Sequence, residues 1–197
     1  MNKYYKLWSI TRKLNNPDIS RYILIFVSYK PITRDIMRNK IKNKELEDMK
    51  DGYGSIENWN VQKVQDMSNM FESCHNFNQD ISKWNVQNVT NMYDMFKNSR
   101  NFNQNISKWN VQNVTDMSCM FCNCHNFNQN ISNWNVSNVT NMNNILSYTY
   151  DFNQPLGNWN VSKVTNMAAM FQHARVFNQD ISGWNISNVT NMSWMFY

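Results

Sequence analysis

Six tryptophans stand 25 residues apart: Trp59, Trp84, Trp109, Trp134, Trp159 and Trp184. Their surroundings move in step. Val64, Val89, Val114, Val139, Val164 and Val189 keep the same interval, as do Met67, Met92, Met117, Met142, Met167 and Met192. A fixed period between about 20 and 50 residues is the signature of a stacked-repeat architecture, because one such unit cannot bury its apolar face alone. Repeat arrays of this kind present extended surfaces.

One unit, taken from Phe77, reads FNQDISKWNVQNVTNMYDMFKNSRN. Trp84 and Val86 are two apart, so a short strand can point both to one face. Val89, Met92, Met95 and Phe96 are spaced by three and four, which predicts a short helix with Thr90 as its N-cap. Asn91, or Asp66 and Asp116 in other units, suits the first turn. The expected fold class is therefore an α/β repeat solenoid. Each 25-residue unit contributes one short parallel strand and one short helix, and stacking pairs the strands at about 4.8 Å per step.

The chain divides into a segment 1–52 and a six-unit array 53–197 whose last unit is incomplete. The net charge of +5 is uneven. Residues 1–50 hold twelve Lys/Arg and five Asp/Glu, giving +7; residues 51–197 hold seven and nine, giving −2. A basic segment can meet nucleic acid or acidic membrane. Here the lysines are spread out, and an apolar stripe of Ile32, Ile36, Met37, Ile41, Leu46 and Met49 predicts a helix running from Pro31 to a cap at Gly52. Residues 1–52 are thus expected to be a basic helical cap on the first unit, not a nucleic-acid-binding arm. The apolar run Tyr22–Val27 is too short to span a bilayer and lacks a cleavage site. The expectation is an intracellular protein with no membrane span, or a cell-surface one if a leader is missing. The last unit stops at Tyr197 without a polar capping segment, which leaves an apolar end through which copies could associate.

Little in the array points to chemistry. Cys74 and Cys124 share a position occupied elsewhere by Ser99, Thr149 and Ala174, the pattern of a small buried residue. Cys119, Cys122, Cys124 and His125 lack the second ligand pair that a zinc site needs, so no metal and no cofactor is expected. His75, His125 and His173 stand in no recurring arrangement with a nucleophile. The acidic residues sit at variable positions without forming an evident pair. No catalytic residue is assigned, and the chain is read as non-enzymatic. Asn-Val-Thr recurs at Asn88, Asn113, Asn138 and Asn188 and matches the N-glycosylation acceptor; with Val in the core, the match is a by-product of the repeat. Gln79, Gln104, Gln129, Gln154 and Gln179 read as a ladder serving the return loop.

Between the inward Trp and Val one residue must face outward. It is Asn60, Asn85, Asn110, Asn135, Asn160 and Asn185, and the position before each Trp varies, with Lys83 and Lys108 in two units. This row, with the two lysines, is the candidate protein-binding face.

Phrases such as FNQDISKWNVQNVTNMYDMF and FNQDISGWNISNVTNMSWMF resemble the BspA-like leucine-rich repeat family, found in bacterial surface lipoproteins and large DNA viruses. The pattern of Val64, Phe71, Cys74 and of Val114-Thr115, Phe121, Cys124 carries the likeness across about residues 54–197. Unit four departs from it at Ile145-Leu146 and Pro155-Leu156-Gly157. The resemblance implies a leucine-rich-repeat solenoid that binds proteins, and no shared catalysis. It leaves three functions open: a scaffold binding an unidentified protein partner through its sheet face, a bacterial-type surface adhesin, and an intracellular adaptor. The last draws on Asn15–Phe26, which resembles the start of an F-box.

Overall fold

A computed structural model of the chain describes residues 31–42 and 53–197. The remainder of the basic segment, including the Tyr22–Val27 run, the F-box-like stretch and the predicted C-cap at Gly52, lies outside the described residues. One helix, α1 (Arg34–Lys42), precedes a short 3-10 turn at Ile56–Asn58 and the repeats. Ile32 and Met37 are buried, and Ile36 and Ile41 partly so. The Ile32 N–H donates to the Asn60 carbonyl at 3.0 Å, and the Arg34 guanidinium donates to the Ser68 carbonyl and hydroxyl, both at 2.8 Å. Its Nε lies 3.3 Å from the Asp66 carboxylate. The apolar stripe of α1 and the first unit thus cover each other.

The units differ in local structure from the expectation. Among the described repeat residues there is no α-helix and no strand ladder; consecutive units meet at isolated parallel bridges joining Asp66, Asn91, Asp116, Asn141, Asn166 and Asn191. The expected helix at Val89–Phe96 is a run of overlapping reverse turns. Met95, Lys97 and Ser99 donate to the carbonyls of Met92, Asp94 and Phe96, three residues back. The alternate residues Met92, Asp94, Phe96 and Asn98 donate forward instead, to Asp116, Ser118, Met120 and Cys122 of the next unit. Asp94 (φ 54°) and Asn98 (φ 62°) are left-handed. Each is the third residue of a turn, where a type II turn requires positive φ. Two such residues in seven end any helix, since the left-handed conformation costs about 1–2 kcal/mol per residue and reverses the chain's hand. A segment this short has little helical stability of its own, so bonding between units decides its shape.

Apolar and polar side chains both stack in register. Phe77, Phe102, Phe127, Phe152 and Phe177 form a column with ring centroids 5.9–6.1 Å apart. The indole N–H groups of Trp84, Trp109, Trp134, Trp159 and Trp184 each reach a carbonyl 28 residues earlier, as in Trp109 to Ile81 (3.2 Å) and Trp134 to Ile106 (3.2 Å). This satisfies the one polar atom of a buried aromatic. The expected Thr N-cap has another role. Thr115, Thr140, Thr165 and Thr190 each give both the backbone N–H and Oγ1–H to the Thr carbonyl one unit back. The small-residue column is buried at Ser99, Cys124 and Thr149 and half-buried at Cys74 and Ala174. Cys124 Sγ–H and Ser99 Oγ–H donate to the carbonyls of Phe96 and Phe71.

Candidate functional site

The predicted face rests on the segment from Ile81 to Val89, which is bent rather than extended. Turns close from Trp84 N–H to the Ile81 carbonyl (3.1 Å) and from Val89 N–H to the Val86 carbonyl (2.9 Å). Trp84 and Val86 are nonetheless buried with Asn85 exposed between them, and the same alternation recurs at Trp109, Trp134 and Trp159. Asn85, Asn110, Asn135, Asn160 and Asn185 are exposed and Asn60 is half-buried. Each uses its Oδ1 to accept the backbone N–H two residues on, from Gln62 (3.3 Å) at Asn60 to Ser187 (3.1 Å) at Asn185. This is an Asx turn, which an Asn side chain forms by mimicking backbone.

The recurrence of Asn has this local cause. Asp80, Asn105, Asn130 and Asp180 cap Ser82, Ser107, Ser132 and Ser182 in the same way. Asp66, Asn91, Asp116, Asn141, Asn166 and Asn191 cap the residue two on in the bridge column. Hydrogen bonds from Ser82 and Ser182 hold the carboxyls of Asp80 and Asp180 below their ordinary pKa. The acceptor-like asparagines Asn88, Asn113, Asn138 and Asn188 donate Nδ2–H to the carbonyl 26 residues back at 2.7–2.8 Å. They are rungs between units. The Gln ladder exists in a mixed form. Gln129, Gln154 and Gln179 donate to the Oδ1 atoms of Asn103, Asn128 and Asn153, and those same atoms take the backbone N–H groups of Asn128, Asn153 and Asn178.

In the Asn row the Oδ1 atoms of Asn85, Asn110, Asn135, Asn160 and Asn185 are used, and their amide Nδ2–H groups have no protein partner among the described residues. Lys83 and Lys108 are exposed beside them and form no ion pair among the described residues.

Two polar clusters went unread in the sequence. Asp94 is 2% exposed; one carboxylate oxygen meets Lys97 Nζ at 2.9 Å while Oδ1 has no hydrogen bond. Asp94 and Lys97 occupy the positions filled one unit later by Cys119 and Cys122. Burial, aided by the neighbouring Cys122 and Asp94, pushes the Cys119 thiol up to about 12, and burial also raises Cys122. Such thiols stay protonated and poorly nucleophilic. All four cysteines are free, and among the described residues no three His, Cys, Asp or Glu side chains converge as metal ligands. The second cluster is on the surface. His125 stacks on Tyr150 at 4.5 Å between centroids, and the Arg175 guanidinium lies 4.1 Å above the same ring.

No helix among the described residues is long and apolar enough to cross a membrane. No curated protein and no solved structure matches the chain. Two overlapping stretches, residues 37–147 and 106–197, match the family described as Mycoplasma protein of unknown function, DUF285. Together they take in all six tryptophan units and most of α1, and the chain belongs to that family.

Proposed function

We propose that the array is a non-enzymatic scaffold of the BspA-like leucine-rich-repeat kind, a solenoid that binds another protein through the face carrying the Asn row. The observation that carries this reading is the row itself. Five exposed side-chain amides, one per unit, keep their donors free while their oxygens lock the backbone beneath. Groups fixed in this way lose little conformational freedom on binding, which favours recognition. Lys83 and Lys108 add charge at one end of the row, where they steer approach and set specificity more than raw affinity. The same face would serve a bacterial-type surface adhesin or an intracellular adaptor. Those readings differ in cellular location and in the role of residues 1–30, and the BspA-like resemblance of the repeats favours the scaffold common to all three.

The test is a comparison of variants. The full chain, immobilised, should recover a partner from native lysate. Lys83→Glu with Lys108→Glu should reduce that recovery severalfold without shifting the denaturation midpoint, because surface changes rarely cost more than about 0.5 kcal/mol. Tyr93→Ala, on the turn side, should leave recovery unchanged. Loss with Tyr93→Ala and none with the lysine pair would move the working surface to the turns.

A further inference from the structure

Taken singly, residues 75, 100, 125, 150 and 175 show no pattern. They share one repeat position, however, and read His75, Arg100, His125, Tyr150, Arg175. The backbone fixes them in file. Asn101, Asn126 and Asp151 each donate an N–H, at 3.2 Å, to the carbonyls of His75, Arg100 and His125 in the preceding unit. His125 then stacks on one side of Tyr150, and Arg175 lies over the ring at 4.1 Å. Arg100 and Arg175 are exposed. Among the described residues neither guanidinium donates a hydrogen bond or pairs with a carboxylate.

This arrangement is suited to one task. Among the described residues, the Arg175 guanidinium over the Tyr150 ring spends none of its N–H groups on another side chain, and these form the fork that meets a carboxylate with two parallel bonds. Stacking also removes part of the side-chain entropy that an exposed pair would otherwise lose. His125 and Arg175 both lie against the Tyr150 ring, and the polar groups that the column offers a ligand are Arg100, His125, the Tyr150 hydroxyl and Arg175. Burial, and after it the charges of Arg100 and Arg175, hold the His125 pKa below its ordinary value. The ring therefore adds a neutral donor or acceptor at neutral pH.

We propose that this column docks an extended acidic peptide segment, with one carboxylate at Arg100 and a second, four residues along, at Arg175. The proposal rests on the reading of the array as a protein-binding scaffold but uses a different surface from the Asn row. The spacing supports it. Three unit steps of about 4.8 Å separate the two arginines by about 14 Å, and four residues of extended chain rise by about 13–14 Å with both side chains on one side. A nucleic-acid strand matches less well, with a charge about every 3.4 Å of axis. It would bring about four phosphates to two guanidiniums, beside the carboxylate of Asp151, which is close enough to act on His125. The array's own charge of −2 over residues 51–197 also disfavours a dense polyanion.

The probe is a fluorescein-labelled peptide, Glu-Thr-Val-Thr-Glu-Thr, titrated against the full chain by anisotropy at low ionic strength. Its Gln-for-Glu counterpart and a six-nucleotide oligothymidylate serve as comparators. The acidic peptide should bind, and Arg100→Gln with Arg175→Gln should weaken it by about tenfold. Salt at about 1 M, where the screening length is about 3 Å, should remove most of the binding. The Gln peptide should bind at least about tenfold more weakly. Tyr150→Leu tests positioning: affinity should fall severalfold with both arginines present, and the thermal midpoint reports whether the fold is kept. Equal binding of acidic and Gln peptides, unchanged affinity in the double variant, or tighter binding of the oligothymidylate overturns the proposal. Failure here, with partner recovery still dependent on Lys83 and Lys108, would leave the scaffold reading standing.

Discussion

An interior unit and the last unit share a sequence pattern and differ in what it buries. Val86 is 1% exposed, whereas Ile186, 100 residues on at the same position, is 45% exposed; Met142 is 0% exposed and Met192 41%. Phe121 is enclosed, and Phe196 is 65% exposed although it stacks on Phe171 at 5.5 Å. Only Trp184 and Met195 of the last unit stay buried, at 8% each. Core membership here belongs to a pair of neighbours rather than to a unit. That is the expected energetics of a one-dimensional array, where interfaces between adjacent units contribute much of the stability.

The comparison is broken or sharpened most strongly at the core. Trp109→Ala should destabilise by about 3–5 kcal/mol and Met117→Ala by about 2–5 kcal/mol, the ranges for truncating buried side chains. Met192→Ala, in the same column as Met117, should cost well under about 1 kcal/mol. Urea midpoints decide it; equal costs for Met117→Ala and Met192→Ala would mean that the last unit is covered by something in solution.

A smaller effect lies in alkaline solution. The Cys119 pKa is raised to about 12 in the fold from an ordinary 9.0. The folded state therefore favours the protonated thiol. Its contribution is fully present below about pH 9 and is lost as pH rises toward 12, where the unfolded chain releases the proton first. Lys97, raised by its hydrogen bond to Asp94, acts with the same sign above its ordinary 10.5. Between pH 8 and 10.5 the thermal midpoint should fall further in the native chain than in Cys119→Ala. Parallel curves would place the thiol in water.

The smallest effect concerns the turns. Ala169 sits at φ 52° with a side chain that makes no use of that conformation. Ala169→Gly removes a left-handed strain of about 1–2 kcal/mol and adds about 0.5–1 kcal/mol of chain entropy to lose. A net gain of up to about 1.5 kcal/mol is expected from denaturant unfolding. A loss instead would show that the methyl, 8% exposed in the native fold, contributes more through packing than through backbone conformation.

The period, the core positions and the small-residue column were legible because each is an apolar or size constraint repeated five or six times. The stack of turns was not legible, because spacings of three and four at Val89, Met92, Met95 and Phe96 describe a helical face and a stack of turns equally well. The feature that separates the two is positive φ. Here it falls on Asn, Asp, Cys, Ala, Trp, Ser, Tyr and His in different units, so no glycine marks it. The outward Asn row could be read from alternation, but not the Asx turn that occupies each oxygen. The Arg100–Arg175 column was not legible because neighbouring units carry different residues there; reading across units at a constant interval of 25 makes it visible.

The indole hydrogen bonds reach back 28 residues, one period plus three, and so act as a ruler. Deleting a single residue within a unit would leave the tryptophan whose 28-residue span crosses the deletion one position out of step with its acceptor carbonyl. Removing 25 residues restores the match at once. Length in this molecule is therefore quantised: the array can shorten or grow by whole units, each new turn meeting the same acceptors as the last, while fractional changes are excluded by geometry. A surface built on such a stack can change its reach without changing its grammar.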